Sequence, residues 1–184
     1  MGGNTALVYS DDFMKYDFGP THPLRPIRLK LTFQLLKETG VLSNSLVSVH
    51  QPRSATEDEL LMVHTKEYID EVKGFSRTGV GYLDLGDTPA FKGIHEATEM
   101  AVGGSLVAVD LVMKGEALHA FNPAGGLHHA GRDHAAGFCV YNDIGVAIRH
   151  VQRKFGLKKV AIVDIDVHHG DGTQEIFYSD PSVL

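Results

Sequence analysis

The sequence predicts an α/β fold built on a largely parallel sheet, and three observations carry that expectation. Short apolar runs alternate along the chain with stretches of helical periodicity, the order expected of a parallel sheet with helical crossovers. One run, Val160-Ala161-Ile162-Val163-Asp164-Ile165-Asp166, is β-branched and apolar enough to read as a strand buried on both faces. A length of 184 residues suits one domain with a real core, and no repeat, low-complexity tract or internal boundary divides it.

Taken in order, Ala6-Leu7-Val8-Tyr9 reads as the first strand. A helix is expected from about Pro26 to Glu38, with Ile27, Leu31 and Leu35 on one face and Gly40 as its stop. Leu46 to His50 is a second strand, ended by Pro52. Thr56-Glu57-Asp58-Glu59 has the form of a capping box opening a short helix. Gly74 to Pro89, rich in glycine and turn residues, reads as a long loop. A long helix follows from Gly93 to Met113, striped by Met100, Val107 and Leu111, and then a strand from Leu118 to Phe121. Asn142 to Phe155 is helical, with Ile144, Ile148, Val151 and Phe155 on one face, and Gly156 closes it ahead of the Val160 strand.

Composition narrows the function. Net charge is −6 and 43% of residues are hydrophobic, which argues against disorder and against bulk attraction to nucleic acid or anionic membranes. A lone Cys139 excludes an intramolecular disulfide. Met1-Gly2-Gly3-Asn4-Thr5 lacks the basic and apolar regions of a secretory signal, and no apolar run reaches the roughly 20 residues that span a bilayer. A cytoplasmic location is therefore expected. Histidine is the anomaly: seven of the eleven lie between His119 and His169.

The densest chemistry is Asp164-Ile165-Asp166-Val167-His168-His169-Gly170-Asp171-Gly172, at the end of the predicted buried strand. Ligands in open α/β sheets bind outside the carboxyl ends of strands. With a period of two, Asp164, Asp166 and His168 share one side, and buried carboxylates need a partner or a cation. Aspartate with histidine suits Zn²⁺, with Fe²⁺, Co²⁺ or Mn²⁺ as alternatives, and two good ligands are present where a catalytic zinc takes about three. Gly125-Gly126-Leu127-His128-His129-Ala130 is the second feature. Adjacent histidines diverge in extended chain, but from a glycine-rich loop both can face a cavity as proton-transfer groups. Asp164 and Asp171 are spare acids to orient them.

These motifs, together with Gly137-Phe138-Cys139-Val140-Tyr141-Asn142-Asp143, resemble the zinc-dependent histone deacetylase family, including its acetoin-utilisation-type members. His22-Pro23-Leu24-Arg25-Pro26-Ile27-Arg28 and Asp87-Thr88-Pro89 are similar to further family segments. The resemblance implies a three-layer α/β/α arginase/deacetylase-like fold, incomplete at its C-terminus, with residues 1–184 the N-terminal portion of one deacetylase catalytic domain. It implies Asp166 and His168 as metal ligands, His129 with Asp171 as general base, and His128 with Asp164 as electrostatic support. Gly137 and Phe138 would wall an acyl-lysine channel, Asp87 would grip the substrate backbone, and Arg28 would lie beneath the site in an internal channel. A structural K⁺ is implied near Asp164, Asp166 and His168. The implied substrate is acetylated lysine in a protein or peptide, or a small acetylated amine. The family's third metal-ligating aspartate and its oxyanion-binding tyrosine have no match here, so little activity is expected of this chain alone.

Each assignment has a structural counterpart: Phe138 as core, Cys139 as a small buried hydrophobe, Asp87 as a turn residue and Arg28 as a solvated charge. His22, His50, His64, His95, His119, His134 and His150 show no partner pattern and read as structural. Two rival functions are a ureohydrolase-like binuclear metal enzyme, which would hold two ions, and a non-catalytic acyl-lysine binding module. Oligomeric state is not legible.

Overall fold

A computed structural model describes residues 4–184. The reading of the extreme N-terminus rests partly on Met1–Gly3, outside the described residues. Strands β1 (Thr5–Val8), β2 (Val47–His50) and β3 (His119–Phe121) form a parallel sheet in the order β2-β1-β3. Thr5 pairs with Val47 on one side and with His119 on the other. Each strand is one of the short apolar runs of the sequence, and β1, in the centre, is buried from Ala6 onward.

Helices cover both faces. Ala6 packs with Leu111 and Ala117, whereas Leu7, its neighbour on the opposite face, packs with Phe13 and Leu29. Leu29 belongs to α1 (Ile27–Glu38) and Leu111 to α4 (Ile94–Met113). The largest cluster lies between α3 (Lys66–Thr78), α4 and α5 (Asp143–Phe155), around Tyr68, Ile69, Leu106, Tyr141 and Val146. Local signals set the helix ends. Thr56 makes the expected capping box with Glu59 at the start of α2 (Glu57–Leu60). Asn142 caps α5 at the Gly145 amide, and Gly156 ends that helix in the left-handed region. No helix among the described residues is long and apolar enough to cross a membrane.

Three expectations are corrected. The stripe Ile27, Leu31 and Leu35 faces outward, at 45%, 56% and 61% exposure. The face turned inward carries Leu29, Phe33 and Leu36, because Phe33 stacks on Tyr9 with ring centroids 4.1 Å apart and fixes the rotation of α1. The loop placed at Gly74–Pro89 is shorter, since α3 runs to Thr78 and stops at Gly79. Most important, Val160–Asp166 is not a buried strand. It makes one parallel bridge, Val160 to Val183, and the Ile162 amide donates to the Leu184 carbonyl; beyond that Val163 and Ile165 are 83% and 93% exposed. An open slot of about 330 Å³, lined by Ala120, Asn122, Ile144 and Val160 to Ile162, separates the segment from β3. A strand needs a neighbouring ladder, and no described backbone lies alongside residues 163–166.

Candidate active site

The two histidines sit on the loop after β3, held from behind by α5. The Asp143 carboxylate accepts the amides of Gly126 (3.0 Å) and Leu127 (2.7 Å) and the hydroxyl of Ser105 (2.5 Å). Burial pushes this carboxyl up, an effect that the Ser105 hydroxyl and the two amides oppose. The side-chain amide of Asn142 donates to the Ala130 carbonyl (2.9 Å) and to the Thr173 hydroxyl (3.0 Å), tying the loop to α6 (Asp171–Phe177). The backbone amide of Asn142 donates in turn to His64 Nε2 at 3.0 Å.

Each histidine meets one carboxylate. His128 Nδ1 lies 2.6 Å from Asp164 Oδ2, and His129 Nδ1 lies 2.7 Å from Asp171 Oδ1. The rings are 4.1 Å apart between centroids; His128 is buried and His129 partly open. The His128 ring and the Asp166 amide hold the Asp164 carboxyl below its ordinary range. Burial raises Asp171, but the His129 ring and the Gly172 amide outweigh it and hold that carboxyl low as well. With Nδ1 engaged by a carboxylate, Nε2 of each ring is the free nitrogen. The His128–Asp164 contact depends on Gly170, where a Cβ would stand 2.6 Å from Asp164 Oδ2 and 3.0 Å from His128 Nδ1.

Asp166 and His168 stand together beside this pair. The His168 amide donates to Asp166 Oδ1 at 2.8 Å, and His168 Nδ1 lies 2.9 Å from the same oxygen. Backbone and side-chain contacts to His168 lower the Asp166 carboxyl. The His168 ring lies 6.1 Å from that of His129. Asp166 and His168 thus supply two adjacent donors. The three-donor group that the described residues form lies elsewhere, at exposed Asp133, His134 and Glu175.

A cavity of about 440 Å³ gathers the rest of the predicted set. Arg28, Asp87, His128, His129, Gly137, Phe138, Asp166 and His168 all line it, whereas Asp164 faces a different opening and reaches the cavity only through His128. Gly137 and Phe138 are the central residues of a tight turn closed by Ala136 and Cys139, with φ of +52° and +70°. Left-handed backbone at a phenylalanine is uncommon, and such strain gathers at functional sites. Sequence reasoning passed over several residues that hold this wall. Tyr16 donates its hydroxyl to the Phe138 carbonyl at 2.5 Å, and the Phe138 amide donates to Thr88 Oγ1 at 3.1 Å. His22, read from sequence as structural, approaches the Asp87 carbonyl through Nε2 (3.0 Å), and its ring packs edge-on to Phe138. A His-Pro sequence ahead of an Asp-Thr-Pro turn was the available signal for that rim.

Fold and site together define an α/β scaffold with an Asp/His site served by two carboxylate-oriented imidazoles. The chain belongs to the histone deacetylase family: the family described as the histone deacetylase domain matches residues 22–184. It is 44% identical over 187 residues to the acetoin utilization protein AcuC of Bacillus subtilis strain 168, and 40% identical over 186 residues to AcuC of Staphylococcus aureus strain MRSA252. Those alignments take in 98% and 97% of this chain but 48% and 47% of the relatives, so the chain spans about half their length. The crystal structure of the HDA15 HD domain superposes with a TM-score of 0.87 at 36% identity, covering all of this chain and 53% of that one. The predicted arginase/deacetylase-like α/β fold is therefore the fold of this protein, and the family implies a metal-ion cofactor.

Proposed function

We propose that this site removes an acetyl group from the ε-amine of lysine, or from a similar small amine, by zinc-assisted hydrolysis of the amide. The observation that carries the reading is the pair of carboxylate-bound imidazoles, with His129 and Asp171 2.7 Å apart, opening on the same cavity as Asp166 and His168. The donor chemistry fits a metal. Asp166 Oδ1 and His168 Nδ1 lie 2.9 Å apart, so a small side-chain separation toward the roughly 3.4 Å of tetrahedral neighbours would let both reach one ion with bonds of about 2.0–2.2 Å. Imidazole plus carboxylate favours Zn²⁺, and Fe²⁺ is a chemically acceptable substitute. When bound, such an ion polarises the acyl oxygen and acidifies water. A catalytic zinc takes about three protein ligands, so with two donors this chain by itself binds zinc weakly and turns over slowly. On the family resemblance, we also propose a structural K⁺ near Asp164, Asp166 and His168.

The protein side of the reaction follows from the hydrogen bonds. Asp171 holds the proton of His129 on Nδ1, which leaves Nε2 to take a proton from the attacking water and return it to the departing amine. Asp164 fixes His128 in the same tautomer, and the buried His128 ring gives electrostatic support. Phe138 presents an aromatic wall to the aliphatic stem of the substrate, Asp87 is placed to accept from its backbone, and Arg28, an exposed residue, lines the same cavity. Acetate release from an acetyl-lysine peptide by the zinc-loaded protein, as expressed from its natural gene, tests the reading. His129→Ala is expected to lower kcat by about 10²–10⁴-fold and His128→Ala by less. Equal, small losses in both variants would contradict the assigned base.

A further inference from the structure

We infer that Asp84 and Thr88 are positioning residues that lock the Asp87 turn to the Phe138 wall, so that substrate grip and channel wall are set as one unit. The inference rests on the deacetylase reading only for what the unit binds; the linkage itself is a matter of geometry. Asp84 is the hub of the turn. Its Oδ1 accepts the amides of Gly86 (2.9 Å), Asp87 (2.8 Å) and Thr88 (2.8 Å), and its Oδ2 accepts the Thr88 hydroxyl at 2.5 Å. Partial burial raises this carboxyl, but the Thr88 hydroxyl and the three amides outweigh burial and keep it ionised.

Thr88 is fully buried, and its one hydroxyl does two things. It donates to Asp84 and accepts the amide of Phe138, fifty positions along the chain. Phe138 sits in left-handed backbone where glycine is the usual choice, so its conformation must be imposed from outside. The clamp is two-sided, with Thr88 on the amide and the Tyr16 hydroxyl on the carbonyl. His22 adds a second strap, touching the Asp87 carbonyl and the Phe138 ring. A hydroxyl is therefore required at position 88, and an acceptor able to hold that hydroxyl is required at position 84. Valine at 88 has the right shape and leaves both partners unanswered; serine restores the link. Asparagine at 84 keeps one oxygen for the three amides while replacing the acceptor that holds Thr88.

The test uses the metal-loaded protein as it is expressed from its natural gene. Acetyl-lysine peptide kinetics and amide exchange at Phe138 are measured in Thr88→Val, Thr88→Ser and Asp84→Asn. Thr88→Val is expected to raise KM about tenfold with kcat within about threefold, and to speed Phe138 exchange by a similar factor. Thr88→Ser is expected to restore both, and Asp84→Asn to shift both in the same direction as valine. Unchanged KM and unchanged Phe138 exchange in Thr88→Val would overturn the inference, as would a joint fall of kcat and KM that serine does not rescue. If the parent protein releases no acetate, the functional reading fails, and Phe138 exchange alone decides the linkage: faster exchange upholds it and unchanged exchange refutes it.

Discussion

Lowering the pH from 7 to 5, into the titration of one buried histidine, should destabilise the fold by about 2 kcal/mol. His64 is 3% exposed, accepts the Asn142 amide at Nε2, and has no hydrogen-bond partner at Nδ1 among the described residues. Burial pushes it down from 6.5 to about 4. Because the folded state disfavours the proton, the neutral form supplies stability that is fully present above 6.5. That stability is lost as the pH falls toward 4. Over the span from pH 7 to pH 5 the linkage amounts to about 2 kcal/mol. Urea unfolding of the protein and of His64→Leu at both pH values isolates the effect, since the carboxylates titrate alike in both. Leucine strips the Asn142 amide of its acceptor and costs about 1–3 kcal/mol at pH 7. It also abolishes the linkage, so the gap between the two proteins should narrow by about 2 kcal/mol at pH 5. A gap that stays constant would refute the buried, neutral His64.

Three further outcomes are expected. Asn142→Ala removes the α5 cap and leaves the Ala130 carbonyl buried without its donor, so urea unfolding should show a loss of at least about 2 kcal/mol. Gly170→Ala keeps an allowed backbone, with φ of −74°, but drives a methyl between Asp164 and His128; acetate release should fall while circular dichroism stays unchanged. Burial pushes the Cys139 thiol up to about 12, so iodoacetamide at pH 8 should label it only after denaturant is added.

The sheet was legible because its three strands are short apolar runs bounded by turn residues, and α2 and α5 announced themselves by side-chain caps. Val160–Asp166 carries the same β-branched signal, yet a strand is a property of two neighbouring chains, and an open slot lies where its ladder would be. Periodicity alone also mis-set the rotation of α1, where the Tyr9–Phe33 stack decides the buried face. The expected loop from Gly74 to Pro89 took in the last turn of α3 because its glycines read as turn residues, although Thr65 caps that helix and Gly79 ends it. At the site, the structure brings the histidines, Asp166 and Phe138 singled out from the motifs to one cavity, and the distances show which carboxylate meets which ring. The Asp84–Thr88–Phe138 clamp left no sequence trace. A threonine in a turn is unremarkable until its partner, fifty residues on, is folded against it.

The central claim is that one divalent metal, held in part by Asp166 and His168, sits beside the His129–Asp171 pair. Calorimetric titration of the metal-free protein with Zn²⁺, alongside Asp166→Ala and His168→Ala, tests it most directly. One ion per chain is expected, bound weakly by the 184-residue chain and lost in either variant. Two ions per chain, as a binuclear ureohydrolase-like site would hold, or zinc binding indifferent to both substitutions, would contradict it.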